Sequence, residues 1–321
     1  MKTIFINFIA LFLLLALAAC STTPSQAVSG PGKFDNQARI AIVTTDQEQL
    51  DALLPQCLAS RKIPVGEKTF VLGEIHGAPV VMVNCGKSMV NAAATTQNTI
   101  DLFNIQRILV VGLAAAINPK LHPGDIVTPG KWAQNGEMLM ALQRGENYWD
   151  INTNTTNFFN DGIHFGMMFP RAVEINRKGK TQQVYWFETA ADMNQVISSV
   201  TANIHLDTME NLIPSTRQPT VTSGGNGVSS QAEIDNPEYR DWLWQNFKAD
   251  VADTETAAVA QVALINNIPF CAFLGIGEKA GEEVSPEDQK IKDITRRNVA
   301  DFTILFLNNY IRDVKPFATK N

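Results

Sequence analysis

Short apolar runs rich in β-branched residues alternate along this chain with stretches of helical spacing. That alternation limits its folding more than any other feature. "ARIAIVTT" (Ala38 to Thr45), "QRILVVGLAAAI" (Gln106 to Ile117) and "IPFCAFLGIGEKAGEE" (Ile268 to Glu283) read as strands too apolar to be wetted on either face. Between them, "DQEQLDALLPQCL" (Asp46 to Leu58) and "SMVNAAATTQNTIDLF" (Ser88 to Phe103) have helical spacing. "KTFVLGEIHGAPVVMVNCG" (Lys68 to Gly86) reads as two strands about a turn at His76-Gly77. Strand, helix and strand in succession predict an α/β sheet covered on both faces. Such sheets take ligands where the loops leave the carboxyl ends of the strands. The loops at Cys85-Gly86, Gly112 and Gly275-Gly277 all follow apolar runs and are expected to gather on one edge.

The first nineteen residues stand apart. "MKTIFINFIALFLLLALAAC" has one Lys, an apolar run and small residues before Cys20, the layout of a secretory leader. Leu17-Ala18-Ala19-Cys20 looks like a bacterial lipobox, with cleavage before Cys20 and acyl chains on its sulfur as the membrane anchor; an uncut membrane helix is the alternative. Ser21 after the Cys favours sorting to the outer membrane, facing the periplasm. Residues 20–37 then form a polar tether, and 38–317 one α/β domain.

From about 131 to 217 the pattern is polar, Asn-rich and aromatic, which predicts an ordered insertion at the ligand edge. "PTVTSGGNGVSS" (Pro219 to Ser230) reads as a strand and flexible loop, and "EIDNPEYRDWLWQNF" (Glu233 to Phe247) as a helix whose aromatics serve the core. The formal charge is −6 with no basic tract, so nucleic acid is not an expected partner. After lipidation of Cys20, the cysteines Cys57, Cys85 and Cys271 permit at most one disulfide. None is spaced as a zinc ligand, and the four His are scattered, so neither metal nor cofactor is expected.

"DTETAAVAQVALINNIPF" (Asp253 to Phe270) sets two carboxylates ahead of an almost wholly apolar helix. They read either as favouring the helix start, where the dipole welcomes acids, or as holding a ligand.

"CGKSMVNAAATTQ", "VVGLAAAINPKLHPGDIV", "DTETAAVAQV" and "IPFCAFLGIGEKAG", in this order, resemble the nucleoside phosphorylase and nucleosidase superfamily over about residues 40–311. "GKWAQNG" and "MVNAAATTQ" look closer to its plant bark-storage branch. The resemblance implies a three-layer α/β/α sandwich around a mostly parallel or mixed twisted sheet. It also implies cleavage of the bond between ribose and base, and a homodimer. Glu255 falls on the ribose-binding Glu, with Thr254 replacing a Met, and Asp253 is left as a cap.

The remaining family positions are substituted. Glu278 stands where an Asp gives the leaving base a proton, or is simply a solvated loop carboxylate. Gln49 stands where a Glu positions water, with Glu48 as substitute only if the register slips. Leu274 replaces an Arg. Cys85 replaces a Ser that touches the ligand, and reads as a buried thiol. Ser223 begins the base-pocket run, Val228 offers backbone to the base, and Gly227 replaces an aromatic that Trp132 or Phe165 would have to supply. "IVTTDQEQ" holds neither Gly nor Arg to cradle phosphate, so hydrolysis is expected over phosphorolysis. A surface protein that captures a nucleoside or base without cleaving it is the alternative, and a storage-like role a third.

Overall fold

A computed structural model of the chain describes residues 33–151, 163–207, 217–283 and 288–314. The expected leader, Cys20 and most of the expected tether lie outside them. Strand β1 (Ala38–Thr44) enters the centre of the sheet. Its side chains alternate, with Ala41 and Val43 in one core and Ile40 and Ile42 in the other, all buried. This period of two is why an unbroken apolar strand needs helices on both faces. Helix α1 (Gln47–Leu53) follows. It stops sooner than its spacing suggests, because Pro55 shapes a short 3-10 turn.

The chain then runs through β2 (Leu58–Val65), β3 (Lys68–Ile75) and β4 (Ala78–Asn84). β3 and β4 pair antiparallel about His76-Gly77, where both residues have positive φ, as a tight hairpin turn requires. β2 is exposed along most of its length, so no apolar signal marked it. Helix α2 (Met89–Leu102) leads to β5 (Asn104–Ala116), the 13-residue strand on which the sheet turns.

After β6 (Ile126–Thr128) and β7 (Lys131–Gln134), three small hairpins leave the sheet. β8 (Met138–Met140) pairs with β11 (Met168–Pro170), β9 (Leu142–Gly145) with β10 (Tyr148–Asp150), and β12 (Val173–Arg177) with β13 (Lys180–Val184). β14 (Phe187–Glu188) returns to β7, and helix α3 (Ala191–Thr201) packs on the sheet. The span 131–217 expected as an insertion therefore begins and ends on framework. The small strand pairs lie within 138–150 and 168–184.

β15 (Val221–Ser223) and β16 (Asn226–Ser229) are two strands where one was expected, parted by Gly224 and Gly225 at positive φ. Helix α4 (Pro237–Phe247), β17 (Ala249–Asp253), helix α5 (Thr256–Asn266), β18 (Phe270–Lys279) and helix α6 (Asp288–Val314) complete the described chain. α2 and α5 cover one face through Ala92, Leu102 and Ala257 to Ala263. α1, α3 and α6 cover the other through Leu53, Ile197, Phe302 and Phe306. The result is an α/β/α sandwich around a 12-stranded mixed sheet.

One topological detail positions the site. β18 runs parallel to β5 along one edge from Ile108 to Ala116. On the other edge β1 stays with β5 only as far as Val111, and β17 arrives antiparallel at Ala115. Between them β5 has no strand partner on that edge, and the ends of β1 and β17 face one another across the gap.

Candidate active site

The gap opens into a cavity of about 390 Å³ lined by Leu113 to Ala115 of β5, Thr45 and Asp46 after β1, Ala252 to Glu255 at the end of β17, Gly277 to Glu282 at the end of β18, and Lys292 and Arg296 of α6. Lys87 and the loop 232–235 close its rim. Gly112 is what lets β1 and β5 approach here, since a Cβ on it would stand 2.3 Å from Thr45 Oγ1.

The two acids ahead of α5 divide their tasks. Asp253 makes the capping contacts: its Oδ1 accepts from the backbone N–H of Thr256 at 3.2 Å and of Glu255 at 3.3 Å. It also accepts from the hydroxyls of Ser229 and Thr256. Burial, and then the neighbouring charge of Glu255, push its carboxyl up to about 7. Glu255 is 4% exposed and its side chain caps nothing in its own helix. Instead Oε1 accepts the backbone N–H of Ser88 at 2.9 Å and the Thr254 hydroxyl, while Oε2 accepts the Thr254 N–H at 3.2 Å. The carboxylate is thus fixed by donors from two loops at the cavity wall. A carboxylate held this way is suited to accept hydrogen bonds from a ligand's hydroxyls.

On the opposite wall, Glu278 Oε2 accepts from Lys292 Nζ at 2.6 Å. One helical turn on, Arg296 donates to Asp46 Oδ2 at 3.2 Å. Asp46 also caps α1, its Oδ1 accepting the Gln49 N–H at 2.7 Å. Across the rim, Lys87 and Glu233 pair at 3.4 Å, both well exposed.

The structure brings Glu255, Thr254 and Glu278 together on one cavity. It does not bring Gln49 there: that side chain is fully buried, and its Nε2 donates to the Arg296 carbonyl at 3.2 Å. Asp46, three residues earlier, lines the cavity in its place. Val228 is buried between β7 and β17, and Ser223 is exposed on β15; neither is a lining residue. Trp132 is wholly buried against Gly227, whose missing Cβ would lie 2.6 Å from its ring, and Phe165 packs edge-on against Tyr239 at 5.1 Å. Neither ring lines the cavity. Leu274 is buried in the sheet.

Cys85 is fully buried, and burial followed by the Glu255 charge pushes its thiol up to about 12. Gly86, at φ 74°, turns the chain after β4, its N–H donated to Asn84 Oδ1 at 2.7 Å. Cys57, Cys85 and Cys271 are all unpaired. Sequence reasoning missed Asp46, Lys292 and Arg296. The two cations are four apart, a spacing that puts them on one face of α6, but nothing in the sequence says which face meets the cavity.

The model of the phosphorylase superfamily matches residues 39–312. The chain belongs to that superfamily. Bark storage protein B of Populus deltoides is 25% identical over 259 residues, covering 77% of this chain and 81% of its own. The 5'-methylthioadenosine/S-adenosylhomocysteine nucleosidase of Buchnera aphidicola is 20% identical over 284 residues, or 88% of this chain and 95% of that one. Among solved structures, the futalosine hydrolase of Helicobacter pylori superposes with a TM-score of 0.63 at 19% identity, covering 84% of this chain and 97% of the other. The fold implied by the resemblance of those four segments is therefore the fold observed.

Proposed function

We propose that this superfamily member cleaves the N-glycosidic bond of a nucleoside, with water as the acceptor. The observation that carries this reading is Glu255: a buried carboxylate in the cavity wall, turned away from capping and held by Ser88 and Thr254. Relatives named as a nucleosidase and a hydrolase support the reaction class. Breaking the C1′–N bond leaves positive charge on the sugar and an electron pair on the base. Glu255 grips the ribose hydroxyls and faces the developing cation, a role that positioned carboxylates fill well in a water-poor cleft. Glu278 serves the departing base. Water is favoured over phosphate because, among the described residues that line the cavity, the guanidinium beside the first loop is that of Arg296, whose terminal nitrogens already donate to Asp46 and, at 3.3 Å, to Asp293.

Purified protein incubated with purine and pyrimidine nucleosides, with and without phosphate, is expected to release free base without phosphate. Glu255→Ala is expected to lower kcat on the order of a hundredfold or more. Unchanged turnover in that variant would dismiss the site.

A second reading, capture of a nucleoside without cleavage, is favoured by Gln49. Its burial leaves Asp46 as the carboxylate of the first loop at the cavity, beside Thr45, and both oxygens of Asp46 already accept bonds. Calorimetric binding with the nucleoside recovered intact would select this reading. We also propose that Cys20 anchors the chain to the outer membrane, which fatty-acid labelling of the intact protein, lost in Cys20→Ala, would test.

A further inference from the structure

We infer that Lys292 is the source of the proton taken by the departing base, delivered through Glu278. The inference rests on the nucleosidase reading above. Glu278 ends β18 where a bulge at Gly277 shifts the register against β5, so its carboxylate lines the cavity. Lys292 lies across from it on α6, its stem packed 3.4 Å from where a Cβ of Gly277 would stand, and its ammonium 2.6 Å from Glu278 Oε2. The other charges along this wall are already engaged. Arg296 holds Asp46 and Asp293, and Lys279 pairs with Glu282 at 3.6 Å.

In this pair Glu278 is the acceptor, and the hydrogen between the two groups belongs to Lys292. An ionised carboxylate has no proton of its own to give. Bond cleavage puts an electron pair on a base nitrogen; Lys292 gives its proton to Oε2 of Glu278 and becomes a neutral amine, and the carboxylic acid so formed hands that proton to the nitrogen and returns to carboxylate. Water adds to C1′ and sheds a proton, and solvent restores the ammonium. Nucleoside and water become free base and ribose, with every atom accounted for. A lysine can do this and an arginine cannot, because a guanidinium does not give up its proton in proteins.

The test compares wild type, Lys292→Met, Lys292→Arg and Glu278→Gln on a purine nucleoside and on 4-nitrophenyl riboside, whose leaving group departs without protonation. Melting temperatures check that each variant is folded. On the purine nucleoside, Lys292→Met and Lys292→Arg are both expected to lose about a hundredfold in kcat with little change in KM. On the nitrophenyl riboside both are expected to stay close to wild type. Arginine restoring wild-type turnover would overturn the inference, leaving Lys292 only to hold Glu278 in place. Equal losses on both substrates would overturn it too. A Glu278→Gln that matches an active wild type would overturn it as well, leaving the nucleosidase reading standing, whereas a wild type that releases no base would remove that reading, and the inference with it.

Discussion

Ser88 donates its backbone N–H to Glu255 Oε1 at 2.9 Å from φ 102° and ψ 137°, a conformation that only glycine adopts readily. Its hydroxyl meanwhile caps α2 by accepting from Val90 at 3.2 Å. Strain of this kind costs on the order of 1–3 kcal/mol. Ser88→Gly keeps the N–H and relieves the strain, while losing the cap costs a few tenths of a kcal/mol. The variant is expected to melt higher than wild type by roughly 1 kcal/mol of stability, with ligand binding retained. A lower melting temperature would show that Ser88 is not strained.

Asp253 gives the fold a pH dependence whose sign can be worked out. Its carboxyl sits near 3.8 in an unfolded chain and is pushed up to about 7 in the folded one. The folded state therefore holds a proton that the unfolded state has released. Its contribution is fully present below about pH 4 and is lost as pH rises through 7. Asp253→Asn mimics the protonated form, so the variant should be more stable than wild type at pH 8 by roughly 1 kcal/mol or more, with the difference fading by pH 4. Denaturant midpoints at both pH values check this; a difference independent of pH would contradict it.

Gly227 is a packing glycine. A Cβ there would stand 2.6 Å from three ring atoms of Trp132, which is itself fully buried. Gly227→Ala is expected to cost about 1–3 kcal/mol by overpacking, seen as a lower melting temperature and a shifted tryptophan emission. A neutral substitution would mean that the indole can move aside.

Cys85 should be inert. Burial and the nearby Glu255 charge hold its thiol at about 12, and the thiolate is the reactive form. Cys57 and Cys271 are also buried, with their thiols raised. A disulfide-exchange reagent is expected to label none of the three in the native protein at pH 8 and all of them after denaturation. Rapid native labelling of Cys85 would show that its loop opens.

Much of the framework was legible because it rests on local rules. The succession of apolar runs such as "ARIAIVTT" with helical stretches already implied two covering layers, and His76-Gly77 announced its hairpin. β2 escaped notice because a strand exposed on most of its length has no apolar run to display. The place of β7 in the main sheet was hidden because its core residue, Trp132, sits inside a polar and aromatic stretch.

The site was legible only where a motif kept its residues together. Glu255 was reached through "DTETAAVAQV", and the partner that holds its side chain away from its own helix is Ser88, 167 positions away in the chain. Gln49 shows the limit of counting along a motif. Its side chain turns to the main chain of Arg296 in α6, and Asp46, which caps the same short helix, holds the cavity position.

By itself, the sequence determined the succession of apolar strands and helical stretches and the covering of both sheet faces. Periodicity and glycine conformation act over a few residues, so neighbours in sequence suffice to set them. Only the tertiary structure decided that β1 leaves β5 at Val111 and β17 joins it at Ala115, and that Lys292 and Arg296 of a helix far along the chain close the resulting gap. Those choices belong to the packing of whole layers, where the direction of a side chain is fixed by partners that no local pattern names.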